Sequence, residues 1–590
     1  MEYREPMDAR IRDLILEIYG EDSRALELVD QLVERYRHRL APPSVAPEQP
    51  GTLPLTERDV VMITYGDTLR GEEGTPLSFL HRFLRDEVED LVTGVHILPF
   101  SPYSSDDGFS VIDYREVDPK LGGWGEIEAI AEEFRFMADL VLNHCSQESD
   151  WFRRFLADEE PYTGYFITVA PGTDLSGVVR PRALPLTHTF ETAHGPQEVW
   201  TTFSRDQVDL NFASPELLAE MLDVFLGYLE RGAQIVRLDA IAYLWKEIGT
   251  PCIHHPNTHR IVKLMRAIID ELAPWGMIIT ETNVPHEENV SYFGEGDEAH
   301  MVYNFSLPPL ALHAVITGNA SYLTGWAAGL PQRQEDRSFF NFCASHDGVG
   351  LLPAQGILPE GEINRLIETV RKRGGRISYK ATPDGEIPYE MNVNYLSAVS
   401  DPALPESQRA RTFLVSQAIM LSLAGLPAIY IHSLLGSTNW EEGVVESGVN
   451  RAINREKLDY ATVVDELHRG DSLRHYVFEG YKVLLEARGS SQAFAPASPQ
   501  RIIEREESLF VVLRGPVENE AGEQESVLAV HNVSDDLAEL VVDLEELGCE
   551  EHPVFDELIS GDRLAGNRDS TRKLSLELEA QEVLWLRFTR

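Results

Sequence analysis

Eight apolar runs of strand length, separated by segments with helical spacing, constrain this chain more than any other feature. They are Val60 to Tyr65, Gly94 to Phe100, Phe136 to His144, Ala233 to Ala240, Met277 to Asn283, Met301 to Pro308, Phe339 to Gly348 and Ala428 to Gly436. Near-continuous apolar strands suit a parallel sheet covered on its outer face by helices. Eight strand–helix repeats predict an α/β chain closed into a (β/α)8 TIM barrel, with its chemistry at the C-terminal strand ends.

Charge enters these strands only at those ends. The fourth run stays apolar until Arg237 and Asp239, then passes into a helical segment. A fixed cation holds a neighbouring carboxyl at low pKa, as a carboxylate nucleophile needs, yet the same pair also fits a strand that ends in a structural ion pair. The fifth run ends in Thr280-Glu281-Thr282-Asn283 and the seventh in Ser345-His346-Asp347-Gly348. Three acids that each interrupt an apolar strand on one barrel face read as a site, because burying a carboxylate without a role is costly. Asp139 and Asn143-His144 end the third run in the same way. His144 fits a donor to a ligand hydroxyl, or on its own a satisfied structural histidine.

The remaining chain divides around the barrel. Residues 1–55 read as a helical extension, with Ile11, Leu14, Ile15 and Ile18 at helical spacing, closed by a Pro-rich linker. The barrel takes 56–144 and 209–500. It is interrupted by an inserted subdomain at 145–208, carrying Arg180-Pro181-Arg182, and by a second at 349–410, carrying Arg371-Lys372-Arg373 and Arg376. Insertions this long are expected to shape a functional site. From 501 to 590 short alternating segments predict an antiparallel β domain.

Composition removes several partners. Against 51 Lys and Arg stand 97 Asp and Glu, a formal net charge of -46, so nucleic acid and anionic membranes are repelled and an anion binds only in a locally basic pocket. Cys145, Cys252, Cys343 and Cys549 have no CxxC spacing, which argues against a disulfide framework or a zinc site and for reduced thiols in a cytoplasmic protein. Met1 to Glu5 lack a signal-peptide core, and no apolar run reaches membrane-spanning length. His254-His255-Pro256-Asn257-Thr258-His259 lacks metal-site spacing to an acid and is read as structural.

Four stretches resemble, in order, the signature regions of the α-amylase superfamily: Asp139 to His144, Arg237-Leu238-Asp239-Ala240, Thr280-Glu281 and His346-Asp347. More narrowly, His96 to Phe100, Asp106-Asp107-Gly108-Phe109, Arg180-Pro181-Arg182, Gln207-Val208-Asp209, Leu307 to Leu310 and Arg451 to Arg455 resemble the sucrose phosphorylase subfamily. Glu281 to His286, Gly296 to Tyr303 and His432 to Ser437 are most similar to its glucosylglycerate phosphorylases. The resemblance implies a retaining double displacement on an α-glucoside. Asp239 is then the nucleophile, Glu281 the acid/base, at the roughly 5 to 5.5 Å separation of retaining enzymes, and Asp347 the stabiliser of the transition state. His144 and His346 are implied as sugar contacts, with Arg237 beside the nucleophile and Asp106 and Arg451 as the pair that closes the glucose pocket. Phe109 and Phe203 are implied as an apolar platform, Tyr243 as a wall and Gln207 as an acceptor-side contact.

Phosphate must outcompete water in such an enzyme, and Arg182 matches the subfamily's phosphate contact. Where sucrose enzymes carry Asp-x-Tyr-Gln, this chain has Tyr389-Glu390-Met391-Asn392, which argues against a sucrose acceptor. The basic run upstream points to an anionic acceptor such as D-glycerate, with Arg376 or Lys380 as ligands, or else to a solvated turn. The resemblance implies no cofactor and no metal, with inorganic phosphate as co-substrate, and the chain is expected to be a monomer or a homodimer. The alternatives are a sucrose or glucosylglycerol phosphorylase, an α-glucosidase, and a non-catalytic amylase-like binding module.

Overall fold

The eight apolar runs become the eight strands of one closed barrel. In the computed structural model the described residues are 7–21, 23–44, 55–181, 184–331, 336–382, 385–519, 521–549, 553–565 and 572–589. The barrel strands are β1 (Val61–Thr64), β2 (Gly94–Ile97), β3 (Arg135–Leu140), β4 (Ala233–Leu238), β5 (Met277–Thr280), β6 (Met301–Tyr303), β7 (Ser338–Phe342) and β8 (Leu426–Tyr430). Each pairs in parallel with its sequence neighbours, and β8 pairs with β1. Side chains along these strands are buried almost without exception, as expected for a sheet with a filled interior and a helical jacket. The apolar runs outlast the strands because the chain continues, still buried, into the loops that carry the site.

Helix starts around the fourth strand are written locally. Helix α3 (Pro215–Glu230) begins with Pro at its first turn behind Ser214, whose hydroxyl accepts from Leu217 N–H; helix α4 (Pro256–Leu272) does the same behind His255. Both are standard ways to satisfy the free N–H groups of a first turn. Two amphipathic N-terminal helices, Ala9–Tyr19 and Ser23–Tyr36, pack on α4 and α3 respectively. Their docking adds ion pairs, among them Arg10–Asp270 at 2.6 Å, Arg35–Asp223 at 2.9 Å and Arg37–Glu271 at 2.5 Å. Most of the linker that follows lies outside the described residues.

Two excursions stand over the C-terminal end of the barrel. Thr168–Val169, Thr187–Thr192 and Gly195–Trp200 form a three-stranded antiparallel sheet in the first. The second contains a hairpin of Arg376–Thr382 and Gly385–Asn392. It presses hard on the end of the seventh strand's loop: a Cβ at Gly348 would lie 2.5 Å from the Met391 carbonyl oxygen. At the other end of the chain a six-stranded antiparallel sheet and a separate two-stranded antiparallel sheet enclose their own apolar core. Its junction with the barrel holds Arg488 and Arg514, both fully buried and bonded only to main-chain carbonyls, including Leu421 and Phe494 for Arg488 and Ser422 and Ala495 for Arg514.

Candidate active site

Register brings the strand-end charges together. Arg237 stands beside Asp139 of β3 and Ile279 of β5. Its Nη1 donates to Asp139 Oδ1 at 2.7 Å and to Asp239 Oδ1 at 2.8 Å, while Nη2 lies 3.9 Å from Glu281 Oε2. One guanidinium, 2 % exposed, therefore anchors acids from three adjacent strands. Ala240 follows Asp239 in the left-handed region (φ 50°, ψ 31°), which an alanine adopts only where its surroundings enforce it. That turn aims the Ala240 N–H at Glu281 Oε2, 3.1 Å away.

Asp347 is held from the opposite side. Arg451 Nη1 is 2.6 Å from Asp347 Oδ1, and its Nε and Nη2 donate to Glu390 at 3.1 and 2.6 Å. Arg451 and Asp106, expected as the pair that closes the glucose pocket, both line the cleft. Arg455, four residues on, also faces the Asp106 loop, 2.7 Å from Asp107 Oδ2 and 4.0 Å from Asp106 Oδ1, and its Nε donates to the His346 carbonyl. The motif Arg451 to Arg455 contains both arginines, and sequence alone gave no basis for separating them.

The loop bearing Asp106 and Phe109 is strained. Asp106 and Asp107 have φ of 54° and 50°, and a Cβ at Gly108 would sit 2.7 Å from the Pro99 carbonyl oxygen, so only glycine fits there. Phe109 stacks on His346 with ring centroids 4.9 Å apart and planes 6° apart. His144 Nε2 lies 2.8 Å from the Phe109 carbonyl oxygen, and Gln207 Nε2 donates to Asp106 Oδ2 at 3.3 Å. Phe203 packs between His144 and Tyr243.

These groups line one cleft of about 900 Å³. Asp106, Phe109, His144, Phe203, Gln207, Arg237, Asp239, Tyr243, Glu281, His346, Asp347 and Arg451 all face it, and Lys380 joins them from the hairpin. Arg376 does not. Its Nη2 lies 3.2 Å from Glu441 Oε2 in a partly exposed pair. Arg182 lies outside the described residues, although its neighbour Pro181 lines the cleft. Sequence reasoning missed Asn283, Leu352 and the buried Glu390 as lining residues; a lone Glu in the hairpin gives no sign that Arg451 will cover it.

Burial decides the ionisation of the cluster. It raises Asp239 well above the usual carboxylate range in spite of Arg237, with Asp139, Glu281 and Asp347 adding to the rise. The Arg237 guanidinium opposes this rise, as its place beside Asp239 leads one to expect, without cancelling it. Burial likewise raises Glu281, and Asp347 adds to it. Asp347 itself is lowered: its burial opposes this, but Arg451, His346 and Arg455 outweigh it. Between the raised pair, Arg237 favours ionised Asp239 at 2.8 Å, while Glu281 has only one backbone N–H and a guanidinium nitrogen at 3.9 Å. Of the two raised acids, Asp239 thus has the closer cationic partner. Burial also pushes His144 down to about 4 and His346 to about 3.

Beneath the cleft Lys246 is buried with its Nζ 2.7 Å from Asp209 Oδ2 and 2.7 Å from Asn143 Oδ1. His254, His255 and His259 face Glu288, Glu247 and Glu298, one carboxylate each. Among the described residues no group of three or more His, Cys, Asp and Glu gathers as a metal-binding set, and no helix is long and apolar enough to cross a membrane.

Residues 88–327 match the family model for the alpha amylase catalytic domain. Over 586 residues, 99 % of each chain, the sequence is 54 % identical to the glucosylglycerate phosphorylase of Spirochaeta thermophila. The chain belongs to the α-amylase superfamily. Within that superfamily it is also 48 % identical over 443 residues to the glucosylglycerate phosphorylase of Escherichia coli, covering 75 % of this chain and 79 % of the relative. Among solved α-amylase relatives, the crystal structure of sucrose 6F-phosphate phosphorylase from Thermoanaerobacter thermosaccharolyticum aligns with a TM-score of 0.70 at 26 % identity, over 81 % of this chain and 94 % of the other. An amylase barrel with an added antiparallel β domain is thus the shared architecture.

Proposed function

We propose that the protein reversibly phosphorolyses 2-O-α-D-glucosyl-D-glycerate to α-D-glucose 1-phosphate and D-glycerate. Asp239 attacks the anomeric carbon as the C1–O bond to glycerate breaks, and Glu281 gives its proton to the departing oxygen. A phosphate oxygen then attacks C1 of the β-glucosyl enzyme, Glu281 takes the proton back, and Asp239 leaves. Asp347 supports the oxocarbenium-like charge that develops in the transition state of each step. His144 and His346, held neutral, contact the sugar hydroxyls.

Lys380 is the observation that carries the choice of acceptor. Arg237 and Arg451 each spend their charge on two carboxylates. Lys380 reaches the cleft with no carboxylate beside it among the described residues, and burial alone lowers its pKa. An uncommitted ammonium in so acidic a protein suits an anion, either the carboxylate of glycerate or phosphate, and Arg182 is the second candidate for phosphate. The reading includes no metal: the Lys246 ammonium already bonds the oxygens of Asp209 and Asn143.

Glucose 1-phosphate release is to be followed in phosphate buffer from glucosylglycerate, glucosylglycerol and sucrose, with wild type and Lys380→Met. The reading expects glucosylglycerate to be preferred, and the variant to raise KM for that substrate about tenfold or more, as loss of a charge-assisted bond does. Preference for a neutral substrate would assign a different acceptor, and sugar release independent of phosphate would assign a glucosidase.

A further inference from the structure

The strained loop of the glucose pocket is held by a carboxylate that is not itself in the cleft. Asp206 Oδ2 accepts three hydroxyls from one short segment: Ser104 at 2.6 Å, Ser110 at 2.8 Å, and Ser105. Ser146 bonds Ser104 in turn at 2.5 Å, and the Asp206 carbonyl accepts from Ser110 and from the Gln147 N–H. Between these serines lie Asp106, Asp107 and Gly108, all at positive φ. Two consecutive non-glycine residues in that region persist only where their surroundings over-determine them. Arg455 ties the same segment through Asp107.

We propose that Asp206 is a positioning residue for the glucose pocket: by collecting the hydroxyls of Ser104, Ser105 and Ser110 it keeps the Asp106–Gly108 segment in its strained form. That form sets Phe109 flat against His346 and gives the Phe109 carbonyl to His144. The next residue, Gln207, ties the same two loops from inside the cleft by its bond to Asp106. Asp206 thus fixes the walls of the sugar site while touching no ligand. This inference rests on the glucoside-binding reading of the cleft, not on the identity of the acceptor.

The test compares Asp206→Ala, Asp206→Asn and Ser105→Ala with wild type, using any α-glucoside that wild type cleaves and α-glucose 1-phosphate in the reverse direction. Asp206→Ala is expected to raise KM for both donors by the same factor and to lower kcat/KM about a hundredfold, the scale of an ångström-sized misplacement. Asp206→Asn, which keeps an acceptor oxygen, is expected to recover most of the loss, and Ser105→Ala, with an intact fold, to lose a smaller part of it. Unchanged kinetics in a folded Asp206→Ala or Ser105→Ala variant would overturn the proposal. So would a fall in thermal midpoint with kinetic constants intact. A wild type that cleaves glucosides other than glucosylglycerate would displace the proposed acceptor and leave this comparison standing.

Discussion

Arg451 joins two carboxylates that would otherwise repel, with Asp347 2.6 Å from one nitrogen and Glu390 bound in parallel by the other two. Glu390 is 1 % exposed, so its charge cannot be left to water. Removing one member of a buried pair strands the other at a cost of about 3–5 kcal/mol. Arg451→Met is expected to lose most activity and several kcal/mol of stability in urea unfolding. Arg451→Lys should not restore either, because one ammonium cannot fork onto Glu390 and still reach Asp347. Near-wild-type behaviour of the Lys variant would contradict the bridging role.

Neutral histidines assign the pH profile to acids. With His144 at about 4 and His346 at about 3, neither titrates near neutrality. The basic limb of kcat/KM for glucosylglycerate should therefore report the raised Glu281, which must be protonated to donate. In Glu281→Gln, a donor with a leaving group that needs no proton, such as α-glucosyl fluoride, should still form the glucosyl enzyme, and its basic limb should be absent. A limb that survives in that variant would move the assignment elsewhere.

The same carboxyls have opposite effects on stability. Glu281 has a raised pKa when folded, so its contribution is favourable at low pH and is lost as pH rises through that value. Asp347 has a lowered pKa, so its contribution is present above the unfolded value and lost as pH falls. At pH 7, Glu281→Gln should raise the thermal midpoint, by about 2 °C for each kcal/mol relieved in a chain of this size, and Asp347→Asn should lower it. Thermal scans between pH 4 and 8 should show the Glu281→Gln difference shrinking toward acid while the Asp347→Asn difference holds, because the latter is lost only below the unfolded carboxylate value. Shifts of the same sign at neutral pH would refute the charge assignment.

Lys246 makes a prediction about metals. Its ammonium sits where Asp209 and Asn143 offer oxygens, so chelators should leave activity unchanged, and Lys246→Met should strand a buried Asp209 at a cost of about 3–5 kcal/mol. Urea midpoints and activity with and without EDTA measure both. Activity abolished by EDTA and restored by a divalent ion would show that a metal is required.

The barrel was legible because each strand is apolar to its end, and the acids were legible because they break that pattern at Asp239, Glu281 and Asp347. What sequence could not supply was partner choice across long separations. Glu390 lies in the second excursion and Arg451 after the eighth strand, and Lys246 is a single cation in an apolar stretch that finds Asp209 only once the inserted segment returns to the barrel. Of Arg376 and Lys380, offered as alternatives, Lys380 lines the cleft and Arg376 pairs with Glu441, a partner in a distant segment that the order of the chain does not announce.

The hairpin of residues 376–392 also divides responsibility within the cleft. Asp239, Glu281 and their Arg237 belong to the barrel strands and the turns directly after them, whereas Lys380, Tyr389 and Glu390 arrive on a segment threaded between two strands. On the reading proposed above, the sugar-handling half and the acceptor-handling half are encoded in separable stretches of chain. Partner preference in such a molecule can drift by rewriting about seventeen residues, while the bond-breaking apparatus is inherited intact, provided Glu390 and Arg451 change together.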